Sequence, residues 1–310
     1  MRVLFWGTPD FAVPPLRALL GEGFDVIGVV TQPDKPRGRS RSQLVASPVK
    51  EVALGEGLPV FQPETPRADA EFLAMLALMA PDVSVVVAYG HILSRAIIDA
   101  PALGTLNIHA SLLPALRGAA PIQAAIRDGL VETGVTIMRM VPALDAGPIV
   151  LTRATPVADD ETSGELVLRL SELGAQALIE ALTLISVGAA PEHAQDDARA
   201  SYAPKVRRDT TTVPWHEPAE VVARFVRAYD PRPGAWTTLR GAELKLFGAA
   251  AEAGVGEAGE VVAVDASGLL VACGTGAVRI KDVQPAGKRR LTAGEWGRGR
   301  GVAVGDRLGT

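Results

Sequence analysis

Asn107 and His109 stand two residues apart at the end of a β-rich run, a spacing that puts both side chains on one face of a strand. Ile108 between them points the other way, into apolar packing. An amide donor beside an imidazole is suited to stabilising an oxyanion and moving a proton. Pro114, Gly118 and Pro121 follow and enforce turns beyond that strand end. The pair alone would serve equally well to satisfy loop backbone groups. Asp145 stands in a Leu-Asp-Ala-Gly stretch between two β-rich runs, where a turn-forming role would suffice. The histidines His91, His109, His193 and His216 are scattered, and none has a metal-ligand spacing with the single cysteine, Cys273. No metal is therefore expected. A lone cysteine cannot form an internal disulfide, which fits a reducing cytoplasm.

The elements that must position these residues alternate along the first part of the chain. Strands are expected at Arg2–Gly7, Asp25–Thr31, Asp82–Tyr89, Gly104–Ala110, Gly134–Met140 and Pro148–Thr155. The runs Val26–Val30 and Val83–Ala88 are apolar without alternation, as strands covered on both faces should be. Helices fit between them at Phe11–Leu20, Pro48–Glu56, Asp69–Met79, Pro121–Asp128 and Ser163–Ile185. Strand, helix, strand in sequence predicts an α/β domain with a Rossmann-like open sheet over 1–190, whose ligands lie beyond the carboxyl ends of the strands. Gly7 lacks the two further glycines of a dinucleotide fingerprint, which argues against a nicotinamide enzyme. From about Gly188 the pattern lapses, so 191–208 reads as a linker. One helical stretch, Pro218–Tyr229, and then short β-rich runs separated by glycines predict a smaller β-barrel domain over 209–310.

No apolar run reaches the roughly 18 residues that span a bilayer, and no signal-peptide pattern follows Met1. The net charge of −4 does not by itself suggest nucleic acid. Its distribution says more, because residues 1–200 carry −8 and residues 201–310 carry +4. A polyanion against the second half is one reading; solvated helix faces in the first half are the other.

The run Asn107-Ile108-His109-Ala110-Ser111-Leu112-Leu113-Pro114, with Arg117-Gly118 and Pro121 after it, resembles the N10-formyltetrahydrofolate-dependent formyltransferase family. Two later stretches, Thr133–Met138 and Leu144–Ile149, are similar to that family's second block. The resemblance implies formyl transfer from N10-formyltetrahydrofolate to an amine, with Asn107, His109 and Asp145 as the catalytic set. Asp145 would hold His109 in its useful orientation and help to relay the amine's proton. Ser111, Leu112, Leu113 and Pro114 would form one wall of the folate site. Ala88, Tyr89, Gly90 and Ile92 would line the edge that receives the pterin ring.

Several branches of that family share the catalytic block, so the acceptor is read elsewhere. Phe5-Trp6-Gly7-Thr8-Pro9-Asp10-Phe11-Ala12 resembles the opening of the branch that formylates methionyl-tRNA. Between Gln32-Pro33-Asp34 and Ser47-Pro48-Val49-Lys50 stands a cationic segment with Lys35, Arg37, Arg39 and Arg41. Its charges are suited to the phosphates of an acceptor stem, and equally to an ordinary solvated loop. Tyr229–Trp236 and Gln284–Arg290 resemble parts of the branch's OB-like barrel, with Asp230 and Arg232 in place of the more usual Asn and aromatic residue. Lys288, Arg289 and Arg290 would then face tRNA. The resemblance thus implies methionyl initiator tRNA as acceptor, in a chain for which a monomer is compatible with so large and asymmetric a ligand. The rivals are a formyltransferase acting on an amino nucleotide sugar, which would need no cationic segment, a folate hydrolase, and a non-catalytic RNA-binding protein.

Overall fold

The first apolar run forms a strand buried on both faces, with only its amino-terminal residue exposed. The computed structural model describes residues 1–37 and 43–309. In chain order its first elements are β1 (Arg2–Gly7), α1 (Val13–Gly21), β2 (Asp25–Val30), β3 (Lys35–Arg37), β4 (Gln43–Val45), α2 (Pro48–Gly55) and β5 (Val60–Phe61). They continue with α3 (Ala70–Met79), β6 (Val83–Val87), α4 (Arg95–Ile98), β7 (Thr105–His109), α5 (Pro121–Arg127), β8 (Glu132–Arg139), β9 (Ile149–Pro156) and α6 (Ser163–Ser186). Seven strands join in one sheet in the order β5-β2-β1-β6-β7-β8-β9. The first five of these are parallel, and β8 runs antiparallel to β7. This is the Rossmann-like open sheet that the alternation of periods implies. The carboxyl ends of β1, β6 and β7 therefore lie side by side.

Local chemistry sets the helix starts. Ser47 caps α2 by accepting from the Lys50 amide at 3.1 Å, with Pro48 at the first helical position. Asp69 caps α3 through the Phe72 amide at 2.9 Å. The cationic segment, read from sequence as a loop, stands between β2 and α2, and its described ends pair as an antiparallel ribbon, Lys35 with Val45 and Arg37 with Gln43. Arg39 and Arg41 lie outside the described residues, as does the side chain of Arg37.

The chain divides into two compact units. One comprises Met1–Gly118, Thr133–Thr155 and Val167–Tyr202; the other comprises Ala119–Glu132, Pro156–Leu166 and Ala203–Thr310. The stretch 191–208 divides between them at Tyr202. In the second unit α7 (Ala219–Ala228) buries Val222, Ala223 and Val226, and α5 packs against it through that unit's core. There follow β10 (Ala235–Leu239), β11 (Ala242–Glu252), β12 (Val261–Asp265), β13 (Gly268–Ala272), β14 (Ala277–Pro285), β15 (Leu291–Thr292) and α8 (Ala293–Arg298). They form an antiparallel sheet in the order β10-β11-β14-β13-β12, with β15 on β14. Its two edges, β10 and β12, are joined by the segment 305–309. The Gly309 amide donates to Thr238 O and the Leu308 amide to Gly259 O, both at 2.8 Å, and Val261 donates to Asp306 O at 2.9 Å. That segment closes the sheet in the manner of a small barrel. Among the described residues no helix is long and apolar enough to cross a membrane.

Candidate active site

β7 carries the Asn-x-His pair between two neighbours, with Asn107 opposite Val86 on β6 and Met138 on β8, and His109 opposite Thr136. Ile108 projects to the other face, where α6 approaches so closely that a Cβ on Gly174 would lie 3.0 Å from Ile108 Cγ2. The period-two reading of these three residues therefore holds in space. Asn107 is half-buried, whereas His109 is only 6% exposed.

Beyond the strand the chain curls back over the imidazole. Ser111 Oγ donates to Ala115 O at 2.6 Å, and Thr136 Oγ1 donates to Ser111 O at 2.7 Å while accepting from the Leu113 amide at 3.1 Å. Leu116, in the left-handed region at φ +58°, presents its carbonyl to His109 Nε2 at 3.0 Å. A carbonyl only accepts, so Nε2 holds the proton of the neutral ring and Nδ1 is the free base. Nδ1 lies 3.7 Å from Asp145 Oδ2. That is an ion-pairing distance rather than a hydrogen bond. The same carboxylate oxygen accepts from the Gly118 amide at 2.8 Å. A proton arriving on Nδ1 would thus sit beside a carboxylate already fixed to the histidine's own loop. Orientation of the ring comes from the Leu116 carbonyl, a contact that residue types and spacing do not reveal.

Asp145 has φ +48°, a conformation uncommon for a residue with a Cβ. Its carbonyl accepts from Gln195 Nε2 at 2.8 Å, and so does the carbonyl of Gly147, also at 2.8 Å. Gly147 is obligatory here, since a Cβ would lie 1.8 Å from Arg139 O. Gln195 Oε1 in turn accepts from Arg117 Nε at 3.0 Å and Nη2 at 2.8 Å. Ser201 binds the loop as well, through its hydroxyl to the Leu116 amide at 2.9 Å and its carbonyl to the Arg117 amide at 2.8 Å. Sequence reasoning missed Gln195 and Ser201, which fall in a stretch with neither periodicity nor motif.

The residues expected around the pterin divide into walls and supports. Ser111 and Leu113 are buried and shape the loop, while Leu112 and Pro114 are half-buried. After β6, Ala88 and Gly90 are exposed with positive φ, and Ile92 is exposed too. Tyr89 points into the core, edge-on to Trp6 with ring centroids 5.3 Å apart, and burial pushes its hydroxyl up to about 12. Its carbonyl is occupied by Thr8 Oγ1 at 3.1 Å and Gln32 Nε2 at 3.0 Å. Tyr89 therefore anchors the turn that its neighbours expose.

Of the cationic residues, Lys35 is exposed on the ribbon, and Lys288 and Arg289 are exposed in the second unit. Arg290 is held in place: it pairs with Asp230 at 3.2 Å and Asp282 at 2.9 Å, and its guanidinium lies 4.2 Å over the Phe247 ring. Below the ribbon, Lys50 Nζ donates to Asp34 Oδ2 and Gln62 Oε1, each at 2.7 Å. The Lys50 and Gln62 bonds to Asp34 hold its carboxyl below its ordinary range.

Known proteins resemble this chain along nearly all of its length. The formyl transferase family model matches residues 1–182, and the formyl transferase C-terminal domain model matches residues 205–301. The methionyl-tRNA formyltransferase of Moorella thermoacetica is 47% identical over 311 residues, covering 100% of this chain and 99% of that protein. That of Aromatoleum aromaticum is 48% identical, covering 99% of this chain and 97% of that protein. Among solved structures, HypX from Aquifex aeolicus in complex with tetrahydrofolic acid superposes with a TM-score of 0.67 at 21% identity, over 95% of this chain and 46% of that one. The sugar 3N-formyl transferase WlaRD gives 0.65 at 18% identity over 93% of this chain and 99% of that one. At such identities the likeness to both structures is one of fold.

Proposed function

The chain belongs to the methionyl-tRNA formyltransferases, enzymes of formyl transfer from a folate-type donor, and from that premise we propose the residues and steps by which it works. The donor substrate is N10-formyltetrahydrofolate, and the acceptor is the α-amino group of methionyl initiator tRNA. The free amine attacks the formyl carbon, giving a tetrahedral intermediate with a negative oxygen. Asn107 donates a hydrogen bond to that oxygen. His109 Nδ1, the free-base nitrogen, takes the excess proton of the amine, directly or through one water, and returns it to N10 as the carbon–N10 bond breaks. Asp145 stabilises the imidazolium in between. So written, the reaction calls for no metal.

The observation that carries this reading is the His109–Asp145 pair, with its two members bound to one loop through the Leu116 carbonyl and the Gly118 amide. Leu112 and Pro114, with Ala88, Gly90 and Ile92, offer the apolar walls and free main chain that a flat heterocycle needs. Lys35, Arg37, Arg39 and Arg41, with Lys288 and Arg289, contact tRNA phosphates. A charged tRNA and a folate as substrates fit a cytoplasmic enzyme acting as a monomer.

The deciding experiment offers labelled N10-formyltetrahydrofolate with methionyl initiator tRNA, free methionine and an amino nucleotide sugar side by side. Label on the charged tRNA alone is expected. Label on the sugar would overturn the acceptor while keeping the chemistry of Asn107, His109 and Asp145.

A further inference from the structure

The geometry points to Gln195, locked by the buried Arg117, as a positioning residue for the reaction: it sets the place of the Asp145 carboxylate beside His109. The inference rests on the catalytic assignment of Asp145 above. Arg117 is 3% exposed, and its fork grips one oxygen, Gln195 Oε1, through Nε and Nη2. Burial disfavours its charge, but the hydrogen bond to Asp197 at 2.8 Å and the side chain of Tyr202 favour it, and the balance lifts its pKa above the ordinary arginine value. With the guanidinium supplying only donors, the amide oxygen must face it, so the NH2 of Gln195 must face the other way. There both of its protons find carbonyls, those of Asp145 and Gly147.

The consequence for the site is specific. Asp145 sits in a left-handed conformation that persists only where its surroundings over-determine it. Gln195 bonds the main chain on both sides of Ala146, which fixes the turn. Arg117 belongs to the loop that carries the Leu116 carbonyl and the Gly118 amide. Thus one side chain couples the turn that bears the carboxylate to the loop that orients the histidine. Without it the carboxylate can drift from a position where about 1 Å is worth up to 10²-fold in rate.

The test uses steady-state kinetics of the full chain with N10-formyltetrahydrofolate and methionyl initiator tRNA. Gln195→Leu is expected to lower kcat roughly 10- to 100-fold while both KM values stay within about threefold. Gln195→Glu keeps oxygens for Arg117 but has no protons for the two carbonyls. It should lose kcat similarly, and its charge pairing with Arg117 offsets part of the stability lost at the two carbonyls, so it also serves if the leucine variant fails to fold. In an Asp145→Asn background either change should cost less than about threefold more, because the two residues act as a unit. Wild-type kcat in Gln195→Glu, a rise in KM with kcat intact, or an equal fold-loss in both backgrounds would each overturn the proposal. A silent Asp145→Asn would overturn it together with the catalytic assignment; an active-site loss at Asp145 with a silent Gln195→Glu would overturn this inference alone.

Discussion

His109 has one ring nitrogen committed to the Leu116 carbonyl, so its chemistry belongs to Nδ1 and to the carboxylate 3.7 Å away. Substituting Asp145 by Asn keeps a side-chain oxygen for the Gly118 amide and removes the charge. That change and His109→Ala are each expected to lower kcat by about 10²- to 10⁴-fold, the range for a positioned acid–base group. Filter binding of tRNA should be unaffected; a parallel fall in binding would count against a catalytic role. At this scale the period-two spacing of Asn107 and His109 was legible, because it depends only on neighbours in a strand. Asp145 became legible only through resemblance, and Gln195 and Ser201 not at all. Their partners lie about 50 to 85 residues away in sequence, and no local rule of spacing reports such pairings.

Among the elements, those with a long apolar period were readable to within a residue or two, as with β1, α3 and β10. The β3–β4 ribbon was not, since its Pro, Gly and Arg content has the composition of a loop. Nor was β5, a strand of two residues that shows no period. The base of the ribbon is tied to the turn after β6 by side chains: Lys50 to Gln62, Gln62 to the Gln32 carbonyl at 2.9 Å, and Gln32 to the Tyr89 carbonyl. Gly90 makes room for this chain, having φ +91° and a position where a Cβ would lie 2.6 Å from Gln32 Nε2. Gly90→Ala is therefore expected to cost about 1–3 kcal/mol, read by denaturant unfolding, and to raise KM for the folate donor. In the second unit, Arg240 holds Asp306 below the ordinary carboxylate range through bonds of 2.8 and 2.7 Å to its two oxygens. A lowered carboxylate pKa lends stability that is fully present above the unfolded value of 3.8 and lost as pH falls through the folded one. Hydrogen exchange at Leu308 and Gly309 should accordingly quicken as the pH drops below about 4, relative to the amides of β14.

For the molecule as a whole, the division of charge gave the right fold class less help than the alternation of strands and helices did. The boundary between the two units was only partly legible, because the chain contributes Ala119–Glu132 and Pro156–Leu166 to the second unit before its main body begins. Composition along a sequence shows one lapse of pattern and cannot show a return. On the proposed assignment, the cationic ribbon and the exposed Lys288 and Arg289 bear on one long-range property, attraction for a polyanion. Neutralising Arg39 and Arg41 together should reduce the slope of log affinity for tRNA against log salt by roughly 1 to 2, near 0.7–0.9 for each phosphate that goes unneutralised. An unchanged slope would remove the segment from the phosphate-binding surface.

The strap at 305–309 also bears on how copies of this chain meet. It satisfies β10 and β12 at once, so its release would bare two strand edges in one event. The segment shaped to cover those edges is the strap of another copy, and at high concentration two chains could exchange straps and associate as a swapped pair. Lowering the pH below the ordinary carboxylate value, until the Asp306 anchor weakens, should therefore promote a concentration-dependent dimer visible by light scattering. Deletion of 305–309 should instead give open-ended aggregation, since it leaves edges with no strap to trade.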